Sequence, residues 1–308
     1  MSCRQETDEL GFLPSEVVMS RLVYINGELI PLENAKVTVY DHGLLYGDGA
    51  FEGIRVYSGE IFKLREHLAR LYHSALALMI NLPIALEEME QAVLNLCRTN
   101  RVVDGYIRVT ITRGVGLGLD PRNVKNPTVI IMTDKLSLYP EEMYRDGLHV
   151  ATVSTRITPA QSLEPRIKSL GKYLVNIQAK LEANRAGAGE GLMLNVEGYV
   201  AEGTGDNIFL VKAGSLITPP PYAGILEGIT RNAVMDLAHG MGIHVLESLF
   251  TLFDVYTADE CFLTGTAAEI IPVVKVDGRT IGSGRPGEMT KRLEEAFRTL
   301  TKTEGVSF

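Results

Sequence analysis

The sequence predicts an α/β protein, in the α+β sense, built as two domains. Three observations carry that expectation. The chain has 308 residues, which is long for one core and comfortable for two of ordinary size. Runs of β-formers recur along most of it, broken by a few amphipathic helices. One stretch, TDKLSLYPEEMYRDG at 133–147, interrupts the strand pattern and reads as a linker. The expected division is a smaller N-terminal α/β domain over 1–132, the linker over 133–147 and a larger C-terminal domain over 148–308.

Composition narrows the class. Charged residues are 22% and hydrophobic residues 45%, the balance of a soluble globular protein. A net charge of -8 and a pI near 5.4 argue against nucleic acid or an anionic membrane as the main partner. Cys3, Cys97 and Cys261 are an odd number and far apart, so no disulfide framework is expected, and no CxxC or HxxxH spacing suggests a metal. MSCRQETDELGFLPSE is acidic and lacks the apolar centre of a secretory signal. No apolar run approaches the roughly 20 residues that span a bilayer. A cytoplasmic enzyme is the default expectation.

In chain order, the first twenty or so residues read as a frayed arm or a short helix. VYINGELI is a hairpin about Asn26-Gly27, KVTVYDHG a further strand, and FEGIRVYSGEIF a hairpin about Ser58-Gly59. LREHLARLYHSALALM is an amphipathic helix with Leu64, Leu68, Leu71 and Ala75 on one face, and LEEMEQAVLNLCRTN is a second helix. YIRVTITRG and PTVIIMT are strands around a glycine-rich loop. After the linker come the strand LHVATVST, many short strands, a hairpin at Asp277-Gly278, and helices in NIQAKLEANRAG, TRNAVMDLAHGMG and GEMTKRLEEAFRTL. No internal repeat or low-complexity segment is evident.

Four stretches carry candidate chemistry. TRGVGLGLDP follows a strand, but Asp120-Pro121 and a polar run come next, so the dinucleotide fingerprint fails and a structural hairpin loop is the plainer reading. In PRIKSLGKYL, Lys168 is expected at the end of a short strand, with a helix opening near Tyr173; most lysines are only surface charges. In VEGYVAEGTGDNIFLV, Glu202 is either a turn residue or a carboxylate held on rigid backbone. LEGITRNAV and FLTGTAAEI put threonine beside glycine at a helix start and after a strand. Thr230 reads as an ordinary N-cap or, with free backbone N–H groups, as part of a phosphate site. A lysine, a carboxylate and two such turns are what pyridoxal phosphate needs: an amine for the Schiff base, an anion at the pyridine nitrogen and a phosphate cup.

GDGAFEGIRVYSGEIFKLREHLARL, YIRVTITRGVGLGLDP, IKSLGKYL, EGYVAEGTGDNIFLV, LEGITRNAV and GTAAEIIPV occur in one order. Together they resemble the branched-chain-amino-acid aminotransferases, pyridoxal-phosphate enzymes of class IV and fold type IV, from about Leu22 to Leu293. The resemblance implies a C-terminal domain with a pseudo-barrel of short strands. It implies transamination between leucine, isoleucine or valine and 2-oxoglutarate, and a homodimer or higher homo-oligomer with the site near the subunit interface. Lys168 matches the Schiff-base lysine and proton shuttle, Arg70 the phosphate arginine, Tyr173 the tyrosine near the phenolate oxygen, and Glu202 the pyridine-nitrogen partner. Gly228, Ile229, Thr230 and Thr266 match the phosphate cup, and Leu226 packs on the ring. Phe51, Tyr46 and Tyr106 match substrate-pocket residues. Arg108 matches the rim arginine for the second carboxylate of glutamate, and Thr266-Ala267 with Tyr106 would take the α-carboxylate. Arg55 looks like an organiser behind them, and Gly114 to Leu119 match a loop closing over the pocket, in part from a neighbouring subunit. This chain departs from the family in having Lys172 where asparagine often precedes the tyrosine, which suggests a second charge on the phenolate side. Arg113 reads as a loop anchor or a second carboxylate receptor. D-amino-acid transaminases, (R)-amine transaminases and aminodeoxychorismate lyases share the cofactor motifs, and the Tyr106-Ile107-Arg108 strand favours the branched-chain enzyme over them. A non-catalytic phosphate-ligand binder is the rival of a different class, and the intact lysine, carboxylate and cup argue against it.

Overall fold

The computed structural model describes residues 21–135 and 138–308; the expected N-terminal arm and Cys3 lie outside them. The first hairpin forms as its turn demands. β1 (Leu22–Ile25) pairs antiparallel with β2 (Glu28–Pro31), and Asn26 and Gly27 between them take positive φ of 50° and 100°, as a two-residue hairpin turn with right-handed strand twist requires. No strand forms in KVTVYDHG: Val37 and Val39 are 41% and 69% exposed and pair with no strand among the described residues, and Asp41 makes only an isolated bridge to Val115. A β-like pattern without a partner ladder stays irregular. The chain instead turns into a short helix, α1 (His42–Tyr46), capped by Asp41 accepting from the Gly43 N–H.

Next come β3 (Gly49–Tyr57), β4 (Glu60–Phe62), the helices α2 (Leu64–Ala77) and α3 (Leu86–Thr99), and the strands β5 (Gly105–Thr112) and β6 (Thr128–Asp134). The expected stripe of Leu64, Leu68, Leu71 and Ala75 is buried with Ile54, Ile107, Val109 and Met89 in one core. That core seats α2 against the back of β3, which fixes where Arg70 emerges. The stretch expected as a linker contains the end of β6, the buried Tyr139 and a short helix, α4 (Glu141–Asp146).

The second half continues with β7 (Leu148–Thr152), α5 (Tyr173–Arg185), β8 (Glu190–Leu194), β9 (Val200–Gly203), β10 (Asn207–Lys212) and β11 (Ser215–Thr218). It ends with α6 (Ile229–Gly240), β12 (Val245–Glu247), α7 (Leu252–Tyr256), β13 (Glu260–Gly265), β14 (Glu269–Val276), β15 (Arg279–Thr280), α8 (Glu288–Leu300) and β16 (Gly305–Ser307). Six strands, in the order β10-β13-β14-β7-β8-β9 and back to β10, close on themselves. This is the barrel-like sheet that the fold class called for. The period of two sorts its residues: Ile208, Leu210, Leu263 and Ile271 join one core, whereas Phe209, Val211, Phe262 and Ile270 pack under Val234 of α6 and Phe297 of α8.

The other sheet has the order β16-β4-β3-β5-β6-β1-β2, so the last strand of the chain returns to the N-terminal elements. Among the described residues, no helix is long and apolar enough to cross a membrane.

Candidate active site

The lysine motif is a loop docked on β3, not the end of a strand as expected. The Lys168 carbonyl accepts from the Phe51 N–H at 3.0 Å, and the Leu170 and Gly171 N–H groups donate to the Gly49 and Gly47 carbonyls at 2.9 and 3.0 Å. Only one bridge, Ala50 with Ser169, has strand character; Pro165 upstream has no N–H with which to extend a ladder. The loop hands directly into α5, whose first residue is Tyr173. Lys168 Nζ donates to the Tyr173 hydroxyl at 2.9 Å and lies 5.0 Å from the centre of the Phe51 ring. Burial, helped by the positive charge of Arg70, pushes the Lys168 amine down to about 8. Burial also pushes the Tyr173 hydroxyl up to about 12, against the pull of Lys172. The pair is therefore an amine that sheds its proton near neutrality beside a phenol that keeps its own.

Arg70 leaves α2 towards the same space. Its Nε and Nη2 donate to the two Glu52 oxygens at 2.6 and 2.8 Å, and its Nη1 donates to the Glu227 carbonyl at 2.6 Å. His67 makes a third contact to Glu52 at 2.8 Å. Burial alone would raise the Glu52 carboxyl, but the Arg70 charge and the His67 hydrogen bond hold it well below the carboxylate range. The guanidinium is thus aimed at the start of α6, whose first residue, Ile229, lies two beyond Glu227. The N-cap there is Gly228, and no side chain caps the turn. Thr230 is the second helical residue, so the N-cap reading of that threonine is corrected. A Cβ on Gly228 would fall 2.1 Å from Asn207 Oδ1, so only glycine lets β10 approach this closely.

Glu202 is buried on β9. Its Oε2 accepts from the Leu226 N–H at 2.8 Å and from the Asn207 amide at 3.4 Å, while Oε1 accepts from Lys172 Nζ at 3.3 Å. Lys172 also donates to the Pro165 carbonyl at 3.1 Å. The departure in the lysine motif therefore touches the carboxylate, while its charge also acts on the Tyr173 phenol, the side on which the resemblance set it. Thr266 and Ala267 are half-buried in the hairpin turn between β13 and β14.

On the substrate side the strand period holds. Ile107, Val109 and Ile111 are fully buried in the core, so Tyr106, Arg108 and Thr110 turn to the other face of β5. The register sets Arg55 opposite Tyr106, Gly53 opposite Arg108 and Phe51 opposite Thr110. The Tyr106 hydroxyl lies over Gly53, where a Cβ would come within 2.1 Å of it. The Arg108 guanidinium stacks on the Phe51 ring at 3.4 Å from its centre. One face thus gathers Phe51, Tyr106 and Arg108 beside Lys168. Arg55 lies farther along, 3.6 Å from Glu269, and with Ala267 lines a cavity of about 200 Å³. Tyr46 is placed differently: it is 42% exposed, and its described contacts are with Gly118 of the loop and the His42 ring, not with Phe51 or Arg108. Arg113 is engaged by Asp48 through two hydrogen bonds and by the Leu78 and Met79 carbonyls, which is the loop-anchor alternative.

Residues 49–276 match the family model of the class IV aminotransferases. The chain belongs to this family. An Escherichia coli branched-chain-amino-acid aminotransferase is 39% identical over 281 residues, covering 89% of this chain and 91% of its own. A Methanocaldococcus jannaschii protein, provisionally given the same name, is 50% identical over 285 residues, covering 92% of this chain and 98% of its own. Among solved structures, the E. coli branched-chain enzyme superposes with a TM-score of 0.89 at 38% identity, covering 92% of this chain and 95% of that one. The branched-chain amino acid aminotransferase of Thermobaculum terrenum, solved in its PLP form, gives 0.85 at 33% identity, over 92% and 94%.

The donor set of this class IV aminotransferase fits pyridoxal phosphate. It offers an amine of lowered proton affinity, a buried carboxylate, and an uncapped helix start beside an arginine. Among the described residues no group of three or more His, Cys, Asp or Glu is placed to hold a metal ion.

Sequence reasoning missed the groups behind these. Glu52 and His67 read as strand and helix residues, yet they orient Arg70. Beyond the β9–β10 turn, Tyr139 donates towards Glu190 and Asp206 at 3.0 and 3.3 Å, and Lys180 holds Glu190 at 2.7 Å. Burial and the neighbouring Glu190 push the Asp206 carboxyl up to about 7. The GTGDN turn was the only signal for Asp206, and turn chemistry absorbed it.

Proposed function

We propose that this aminotransferase uses pyridoxal phosphate to exchange amino groups between leucine, isoleucine or valine and 2-oxoglutarate, giving branched-chain 2-oxo acids and glutamate. The observation that carries the reading is the face shared by Phe51, Tyr106 and Arg108 next to the Lys168 amine. It offers an apolar ring to a branched side chain and a guanidinium to a second carboxylate. When bound, the cofactor supplies an electron sink for charge developed at the substrate Cα.

The chain's own residues do the rest. Lys168 moves a proton at the substrate Cα, a task for which an amine near 8 suits neutral pH. Arg70 and the N–H groups at Ile229 and Thr230, with Gly228 and Thr266, hold the phosphate. Glu202 meets the ring nitrogen, Leu226 packs on the ring, and Tyr173 donates near the phenolate oxygen. Tyr106, Thr266 and Ala267 orient the α-carboxylate. Tyr46 acts through the loop over 114–119. That loop reaches a second subunit of a homodimer or larger assembly, consistent with Leu117 and Leu119 being 66% and 83% exposed. The two-domain division and a cytoplasmic location belong to the same reading.

The test is a panel of L-leucine, D-alanine and (R)-1-phenylethylamine, each with 2-oxoglutarate. Turnover should be fastest with L-leucine. Preference for either of the others would transfer the chain to a different branch of the class.

A further inference from the structure

None of those roles uses Lys172, and the part assigned to it here rests on the cofactor reading above. Its side chain is 2% exposed and that of Glu202 6%, so water screens the pair little. A carboxylate offers about four lone-pair positions. On Oε2 the Leu226 and Asn207 donors take up the available directions; on Oε1 the described partner is Lys172, which leaves one position open. Among the described contacts, Lys172 is the only cation touching this carboxylate. The other ionisable groups that act on it or on its surroundings are Lys168 and Tyr173 on the loop and α5, and Asp206 beyond the turn. The bond to the Pro165 carbonyl ties the ammonium to the loop that carries Lys168.

We propose that Lys172 is a positioning residue acting through Glu202, and that it keeps the proton shared by Glu202 and the cofactor's ring nitrogen on the nitrogen. One proton between a carboxylate and a pyridine nitrogen has two resting places. On nitrogen it gives a carboxylate–pyridinium pair; on oxygen it gives a neutral acid and a neutral pyridine. A cation bonded to the carboxylate is closer to that carboxylate than to a group held at its other lone pair. Its attraction to the carboxylate therefore exceeds its repulsion of the pyridinium, and the charged arrangement is favoured. The N–H groups of Leu226 and Asn207 push the same way but carry no net charge. A neutral residue at 172 would lack this bias.

The experiment uses the holoenzyme loaded with cofactor labelled with 15N at the ring nitrogen, read by NMR at neutral pH. The unaltered protein should give a pyridinium signal. Lys172→Met and Lys172→Gln should both move it downfield towards neutral pyridine; glutamine keeps a donor of similar length, so charge is separated from hydrogen bonding. A pyridinium signal unmoved in both variants overturns the proposal. So does a shift in the methionine variant alone, since the hydrogen bond and not the charge would then be responsible. If neither variant loads cofactor, the unaltered holoenzyme with 13C-labelled glutamate carboxyls decides. The Glu202 signal, assigned by its loss in Glu202→Gln, should be that of a carboxylate, and a protonated carboxyl overturns the proposal. Failure of the cofactor reading looks different: the unaltered protein would retain no label and show no visible absorbance. Retained label with an unmoved ring signal removes only the inference about Lys172.

Discussion

Arg70 and Glu52, in the first sheet and its helix, meet through two hydrogen bonds of 2.6 and 2.8 Å, with His67 as a third partner. Lys172 and Glu202, at the barrel, meet through one contact of 3.3 Å. Both carboxylates are buried, yet they serve opposite ends. Glu52 takes two of its three hydrogen bonds from one guanidinium, so the pair behaves as a fixed mount that presents a cation. Glu202 takes its three from three separate groups, Leu226, Asn207 and Lys172, so it mounts no single cation and presents an anion. A carboxylate forked on one guanidinium orients that partner, whereas one held by three separate donors is itself the group oriented.

Glu202→Gln should break the barrel side of the comparison hardest. Shape is kept and the charge is lost, so single-turnover rates of proton removal from L-leucine should fall by orders of magnitude, with a smaller loss of cofactor retention. Near-normal turnover would reduce Glu202 to a turn residue.

Glu52→Ala should break the other side through stability. It strands a guanidinium whose side chain is only 15% exposed, and breaking a buried pair costs roughly 3–5 kcal/mol. Chemical denaturation would read the loss, and phosphate affinity should fall with it because Arg70 loses its mount. A change below about 1 kcal/mol would mean that water replaces Glu52 readily.

Arg108→Met sharpens the picture on the substrate face. Removing a guanidinium that meets a carboxylate costs roughly 2–5 kcal/mol in the glutamate half-reaction. The leucine half-reaction should lose much less, although the Phe51 ring also loses its stacking partner. Equal losses in stopped-flow traces with each amino acid would show that Arg108 supports the site as a whole.

The smallest effect is a pH dependence. With the Lys168 amine pushed down to about 8, cofactor uptake by the apoprotein should rise roughly tenfold per pH unit below that value and level off above it. Borohydride should then fix the label on Lys168 and not on the ion-paired Lys172. Stability moves in the same direction. The unfolded chain holds this proton more tightly, so the apoprotein gains stability as pH rises from about 8 towards the ordinary lysine value of 10.5. A flat uptake profile from pH 6 to 10 would remove the role of a lowered amine.

Much of the fold was written in short-range pattern. Leu64, Leu68, Leu71 and Ala75 specify a buried helical face, and the Asn26-Gly27, Ser58-Gly59 and Asp277-Gly278 pairs specify turns, because periodicity and positive φ are properties of neighbours. The common face of Tyr106 and Arg108 follows from the strand period in the same way. The motifs for Lys168, Glu202 and the start of α6 were legible as chemistry. Only tertiary structure decided what depends on distant segments meeting. Val37 to Val39 found no strand partner among the described residues and stayed irregular, the last strand joined the first sheet, and β9 closed onto β10 to make the barrel. The same holds for Glu52 with Arg70, and for Lys172 turning to Glu202 rather than to the phenol beside it. A buried charge takes whichever opposite charge the fold brings within reach, and no local rule in the chain names that partner.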